Sequence, residues 1–171
     1  MKLKMMDLNM ANEKLIKKNI IQLESYRDLL VREMLSIDDL IKKTFFQTYY
    51  NKDDFFANID ILNDTKDKIK LIEYEIDMAL MSHEVLIDDE NMSLKQACDQ
   101  CSILSEEISL YLELKKQIDD HDMHKYNPIL NYDDLTKAII DSEKRLYTLK
   151  EKIVKEKILA KVSIDMNSLL A

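Results

Sequence analysis

From Ser93 to Ile118 the chain reads SLKQACDQCSILSEEISLYLELKKQI, and the spacing within this stretch decides the fold. Leu94, Ala97, Cys101, Leu104, Ile108, Tyr111, Lys115 and Ile118 succeed one another in alternating steps of three and four residues. Such a stripe stays on one face of a slightly underwound α-helix, so other helices must shield it from water. Ser93 and Gln96 have capping-box spacing at its start, and Met92 with Ala97 fits a weak hydrophobic staple.

The same period recurs on both sides of this segment. Upstream, Ile16, Leu23, Leu30 and Ile37 fall seven apart, interleaved with Ile20, Arg27, Met34 and Ile41. Phe55, Leu62, Ile69 and Ile76 form a second series; Ile139, Leu146, Ile153 and Ala160 form another, with Leu135 and Leu149 between them. The spacing predicts helices near 5–46, 54–83, 94–121 and 134–162, each roughly 40–60 Å long at about 1.5 Å per residue. Short connections imply antiparallel neighbours. The expected architecture is all-α: one domain over 1–171, two helical hairpins forming an antiparallel bundle with coiled-coil-like packing. No period-two run is evident, so no sheet is expected. Asp53-Asp54 and Asp133-Asp134 sit where N-caps are wanted for the second and fourth helices, with a Mg²⁺ or Ca²⁺ site as the other reading.

Composition agrees. The 171 residues include no glycine and a single proline, Pro128, which disfavours folds rich in tight turns. Without a glycine-rich phosphate loop, P-loop, Rossmann and kinase readings fall away. A formal net charge of −8 argues against broad nucleic-acid binding, which needs clustered Lys and Arg. No apolar run is long enough to span a membrane, and the start, Met1-Lys2-Leu3-Lys4-Met5-Met6-Asp7, lacks a secretory signal pattern. Two cysteines are too few for a disulfide framework, so a cytoplasmic, reducing location is expected. The basic residues are 22 Lys against 3 Arg, a coding bias that fits an AT-rich bacterial or phage genome.

Charge is divided unevenly between the last two helices. Glu84 to Asp122 carries 11 acids and 3 bases, whereas Lys137 to Lys161 carries 8 bases and 4 acids. This favours pairing of the third and fourth helices within one hairpin; a basic surface for an anionic partner is the sharper reading of the fourth.

Several constellations could carry chemistry. Cys98-Asp99-Gln100-Cys101 and His121-Asp122-Met123-His124 together have the ligand types of a zinc site. If one helix carries both Cys101 and His121, however, about 30 Å separates them, too far for a common metal. Cys101 also holds a core position, so a buried thiol is expected there and a bystander at Cys98. Asp119, Asp120, His121, Asp122 and His124 could ligate a divalent metal, or simply end a helix in a hydrated loop. The ferritin-like Glu-x-x-His pairs are missing, as are distinctive Ser/His/Asp or Cys/His catalytic motifs. No cofactor is expected, and an enzyme is the lesser reading.

The most unusual local feature is aromatic. Phe45, Phe46, Tyr49, Tyr50, Phe55 and Phe56 crowd into the first connection. Tyr126 and Tyr132 crowd into the third with Pro128, Ile129 and Leu130. They either plug the end of the bundle as core or form a partner-binding surface, since Tyr is enriched at interface hot spots.

Ile20-Ile21-Gln22-Leu23 with Arg27, Leu71-Ile72 with Ile76, Leu94 with Ala97, and Leu149 with Ile153 resemble the septicolysin-like proteins, a family of small helical bacterial proteins. The resemblance spans most of the chain and implies a helical architecture, without a site or an activity. The family's Asn-x-Thr-Asn after the second helix is replaced by Asp77-Met78-Ala79-Leu80, and its C-terminal Asn-Trp is missing.

Three functions follow for testing. The first is a non-enzymatic helical oligomerisation or interaction protein whose partner is a second copy or another protein, with the Met-rich start (Met5, Met6, Met10) favouring a dimer. The second is a metal-dependent hydrolase of nucleotides or phosphoesters using Asp119–His124 or Asp133-Asp134. The third is an acidic inhibitor that mimics nucleic acid through the third helix.

Overall fold

A computed structural model describes residues 15–46, 51–121 and 132–165. The order is β1 (Leu15–Asn19), α1 (Ile20–Phe45), α2 (Lys52–Ser82), β2 (Glu84–Ile87), β3 (Glu90–Ser93), α3 (Leu94–His121), α4 (Tyr132–Leu159) and β4 (Lys161–Asp165). The class is all-α, with four long helices and two short antiparallel ribbons among the described residues. The chain divides into two compact units, residues 1–80 with 158–171 and residues 81–157.

In the first unit, α1 and α2 run antiparallel. The Phe45 ring at the end of α1 lies 6.1 Å from that of Phe55 near the start of α2, and Glu73 of α2 acts electrostatically on Arg27 of α1. The apolar stripes are covered as their spacing requires: Ile20, Leu23 and Leu30 are buried on α1, and Leu62, Ile69, Ile72 and Ile76 on α2. Two polar residues fall within these stripes, and each has a partner. Arg27 donates from Nε and an NH₂ group to Asp28 Oδ1 at 3.1 and 2.7 Å. That bond, with the charges of Asp28, Glu24 and Glu73, holds its pKa above the ordinary guanidinium value against the opposing effect of burial. Thr65 is buried, and its hydroxyl donates to the Ile61 carbonyl at 2.8 Å. Among the described residues no buried side-chain nitrogen or oxygen lacks a partner.

The expectation of no sheet is corrected at both ends of this unit. Residues 15–19 are not part of the first helix but a strand, paired antiparallel with 161–165 in the register Ile16↔Ile164 and Lys18↔Val162. The fourth helix accordingly stops at Leu159 and not at 162. Val162 and Ile164 are buried between exposed Lys161 and Ser163, the alternation of a strand covered on one face. Asn19 separates strand from helix. Its side chain accepts from Gln22 N at 2.8 Å while Gln22 Oε1 accepts from Asn19 N at 3.1 Å, a complete capping box. The predicted span 5–14 lies outside the described residues.

In the second unit, α3 and α4 also run antiparallel: Lys115 late in α3 meets Tyr132 at the start of α4. Residues 84–93 form a β-hairpin instead of a loop, with Val85 and Ile87 buried and Glu84 and Leu86 exposed. Its two turn residues, Asp88 and Asp89, have φ of 50° and 66°. They form the left-handed two-residue turn that usually takes Asn-Gly. Leu94 N then donates to His83 O at 2.8 Å, closing the hairpin as α3 begins.

The predicted bounds of α3 are met in full, and its capping box is formed. Gln96 N donates to Ser93 Oγ at 3.2 Å, and Ser93 N donates to Gln96 Oε1 at 2.9 Å. The other predicted caps are corrected. Helix α2 begins at Lys52, and Asn51 occupies the capping place, accepting from Asp53 N at 3.1 Å and donating to Asp54 Oδ2 at 2.8 Å. Asp53-Asp54, like Asp133-Asp134, are first-turn acids that face the positive end of the helix dipole.

Candidate interaction surface

The four phenylalanines of the first connection meet where α1 ends and α2 begins. Phe45 and Phe46 are in edge contact at 5.5 Å and 90°, and Phe55 and Phe56 at 5.6 Å and 84°. The Phe45–Phe55 contact links the two pairs. Edge-to-face pairs of this kind contribute about 0.5–1.5 kcal/mol each beyond simple burial. Only Phe55 is half-buried: Phe45 is 64% exposed, Phe46 83% and Phe56 50%. The expectation that these rings plug the core therefore fails for three of the four. The reason is positional. Phe45 ends α1, Phe46 lies just beyond it, and Phe56 sits in the first turn of α2, off the stripe that Phe55 begins. Lys52 Nζ lies 5.8 Å from the Phe56 ring centre, adding a cation at the edge of the cluster.

Of the remaining aromatic candidates, only Tyr132 is among the described residues. Tyr132 belongs to the second unit, where it is half-buried with Lys115 Nζ 4.4 Å over its ring. Tyr49, Tyr50 and Tyr126 lie outside the described residues.

A second apolar feature went unnoticed in the sequence. Ile140, Tyr147 and Val154 stand seven apart on α4, and all three are exposed, Tyr147 at 72%. On α3, Ile103 and Leu110 repeat the spacing and are also exposed. Their period was visible, but the stronger core stripe of the same helices drew the assignment. Leu149 and Ile153 are buried while their neighbours Tyr147 and Val154 face water, so α4 carries two apolar heptad stripes and covers one.

The metal and thiol candidates of α3 lie at its opposite ends. Asp119, Asp120 and His121 occupy the last turn of α3, while Asp122 and His124 lie outside the described residues. Among the described residues no three His, Cys, Asp or Glu side chains converge where a metal could bind. Helix α3 runs unbroken from Leu94 to His121, so the cysteines and His121 are held about 30 Å apart. Cys98 and Cys101 form no disulfide and each is half-buried, so the expected full burial of Cys101 is only partly realised. Desolvation pushes the Cys101 thiol above its ordinary pKa and Cys98 adds to this, while Lys150 and Lys157 of α4 pull the other way. A raised pKa disfavours the thiolate, the opposite of what a nucleophilic or redox cysteine needs. On the same helix Tyr111 donates to Glu107 Oε1 at 2.6 Å, and that bond raises the pKa of its phenol.

Among the described residues no helix is long and apolar enough to cross a membrane. No family model, curated protein or solved structure matches the chain.

Proposed function

We infer that this is a non-enzymatic helical protein that works by association, its partner a second copy of the chain or another protein, with the Phe45–Phe46–Phe56 end of the first unit as the contact face. The observation that carries this reading is the exposure of three phenylalanine rings on adjoining helix ends. Moving a phenylalanine side chain from water into an interface contributes about 1.5–3 kcal/mol. Three such rings, already ordered against one another and Phe55, therefore offer a pre-organised hot spot. The uncovered heptad positions Ile140, Tyr147 and Val154 give further support, since apolar residues at that spacing suit a helix from a partner.

The test is the triple variant Phe45→Ser, Phe46→Ser, Phe56→Ser. Because these rings are largely exposed, helicity by circular dichroism should stay close to the parent, and the melting temperature should fall only by the few degrees that the lost ring contacts account for. Mass by light scattering, or recovery of a bound protein in affinity capture, should fall to that of the isolated chain. A parent chain that is monomeric at all concentrations and captures nothing defeats the reading; so does a variant that unfolds, which would make the rings part of the core.

A further inference from the structure

The second unit contains a cleft of about 230 Å³ between early α3, late α4 and the tip of the β2–β3 hairpin. Lys144, Arg145 and Lys152 line it from α4, together with Leu104 and Leu149. The turn residue Asp88 and Gln100 of α3 also line it, bringing a carboxylate and an amide to its edge.

The cleft thus gathers three of the cations of the basic helix α4 in a chain with a formal net charge of −8. Their pairing state makes the arrangement more specific. Elsewhere the chain uses helical spacing to neutralise lysines: Asp38 with Lys42, Asp39 with Lys43, and Asp64 with Lys68 are all i,i+4 ion pairs. Asp141 stands four residues before Arg145 in the same favourable order, and Glu156 stands four after Lys152. Yet the ion pairs formed among the described residues include none with Lys144, Arg145 or Lys152.

We propose that this cleft binds a small phosphate monoester whose short carbon body carries a hydroxyl group. The charges match: three cations less the Asp88 carboxylate leave +2, and a phosphate monoester carries about −1.5 to −2 near neutral pH. Arg145 supplies the planar fork that meets two phosphate oxygens at once, with Lys144 and Lys152 as flanking point charges. Leu149, which is 4% exposed, gives the cleft an apolar patch that accommodates carbon, beside Lys144 and Arg145, which are exposed, and Lys152, which is half-buried. Asp88 repels a bare anion but accepts from a hydroxyl, which favours an ester over a simple ion. The Thr148 hydroxyl already donates to the Lys144 carbonyl at 3.1 Å, so toward a ligand it serves as an acceptor. The volume lies below the roughly 300–1,000 Å³ of drug-sized pockets, setting the ligand at a phosphate with a few carbons.

The experiment is a ¹⁵N–¹H NMR titration of the full chain with glycerol phosphate, with sulfate as a second arm at equal ionic strength. Saturable shifts are expected for amides at 87–88, 100–104 and 144–152. Arg145→Gln should weaken binding by about tenfold or more, whereas Lys155→Gln, an exposed change outside the cleft, should leave it unchanged. Lys144→Gln provides the same test should Arg145→Gln disturb the helix. Absence of saturation, equal response to sulfate and glycerol phosphate, or unaltered binding in the cleft variants would overturn the proposal. It stands independently of the association reading, because the Phe45–Phe46–Phe56 variant should bind glycerol phosphate as the parent does.

Discussion

Asp88 and Asp89 make a two-residue turn in a chain without glycine, and both adopt left-handed backbone to do so. An L-residue loses about 1–2 kcal/mol there, less for Asp, whose short polar side chain bonds locally. Replacing Asp89 by Gly removes that strain but frees the unfolded chain, which costs back about 0.4–1 kcal/mol. A net gain of about 0.5 kcal/mol is therefore expected for Asp89→Gly, and a loss of more than about 1 kcal/mol for the β-branched Asp89→Val. Denaturant unfolding of the two variants checks this; equal stability would mean that the left-handed turn is not formed. The same residues explain why the hairpin was not legible. Absence of glycine argues against tight turns in general, but the rule is statistical and two adjacent aspartates evade it. The alternation in Glu84-Val85-Leu86-Ile87 was visible but too short to overrule the helical periods on either side.

At the scale of elements, the long helices were the most legible part of the molecule. Each buries a stripe that repeats several times, and repetition suppresses the noise of single residues. The start of α3 was readable because its capping box uses the usual Ser and Gln. That of α1 was missed because its box begins with Asn19 inside what looked like a continuing stripe from Ile16 to Leu23. A direct comparison follows. Asn19→Ala should cost about 1 kcal/mol, as should Ser93→Ala, with faster amide exchange confined to the first turn of the affected helix. If Asn19→Ala leaves exchange in the first turn of α1 unchanged, the helix does not begin there. The aromatic candidates show the same division. Phe45 and Phe46 could be singled out by crowding, but their exposure depends on where α1 stops, which crowding does not reveal.

For the molecule as a whole, the consequential feature is the β1–β4 ribbon, which ties Leu15–Asn19 to Lys161–Asp165 within the first unit. Ile164 is 4% exposed, so Ile164→Asp places a carboxylate in an apolar site and removes a buried side chain. A loss of about 3 kcal/mol or more is expected. Hydrogen exchange should show amides at 15–19 and 161–165 losing protection while those of the 84–93 hairpin, in the other unit, retain it. Uniform loss across both ribbons would mean that they do not open separately. Local sequence alone determined that the chain is built of four long helices, because the three-and-four spacing of apolar residues is complete within each segment. Only the tertiary structure decided where strands replace helix, which cations remain unpaired around the α3–α4 cleft and which phenylalanines face water. Those outcomes depend on partners distant in sequence, and the free energy of a strand, an ion pair or a buried ring resides in the partner as much as in the residue.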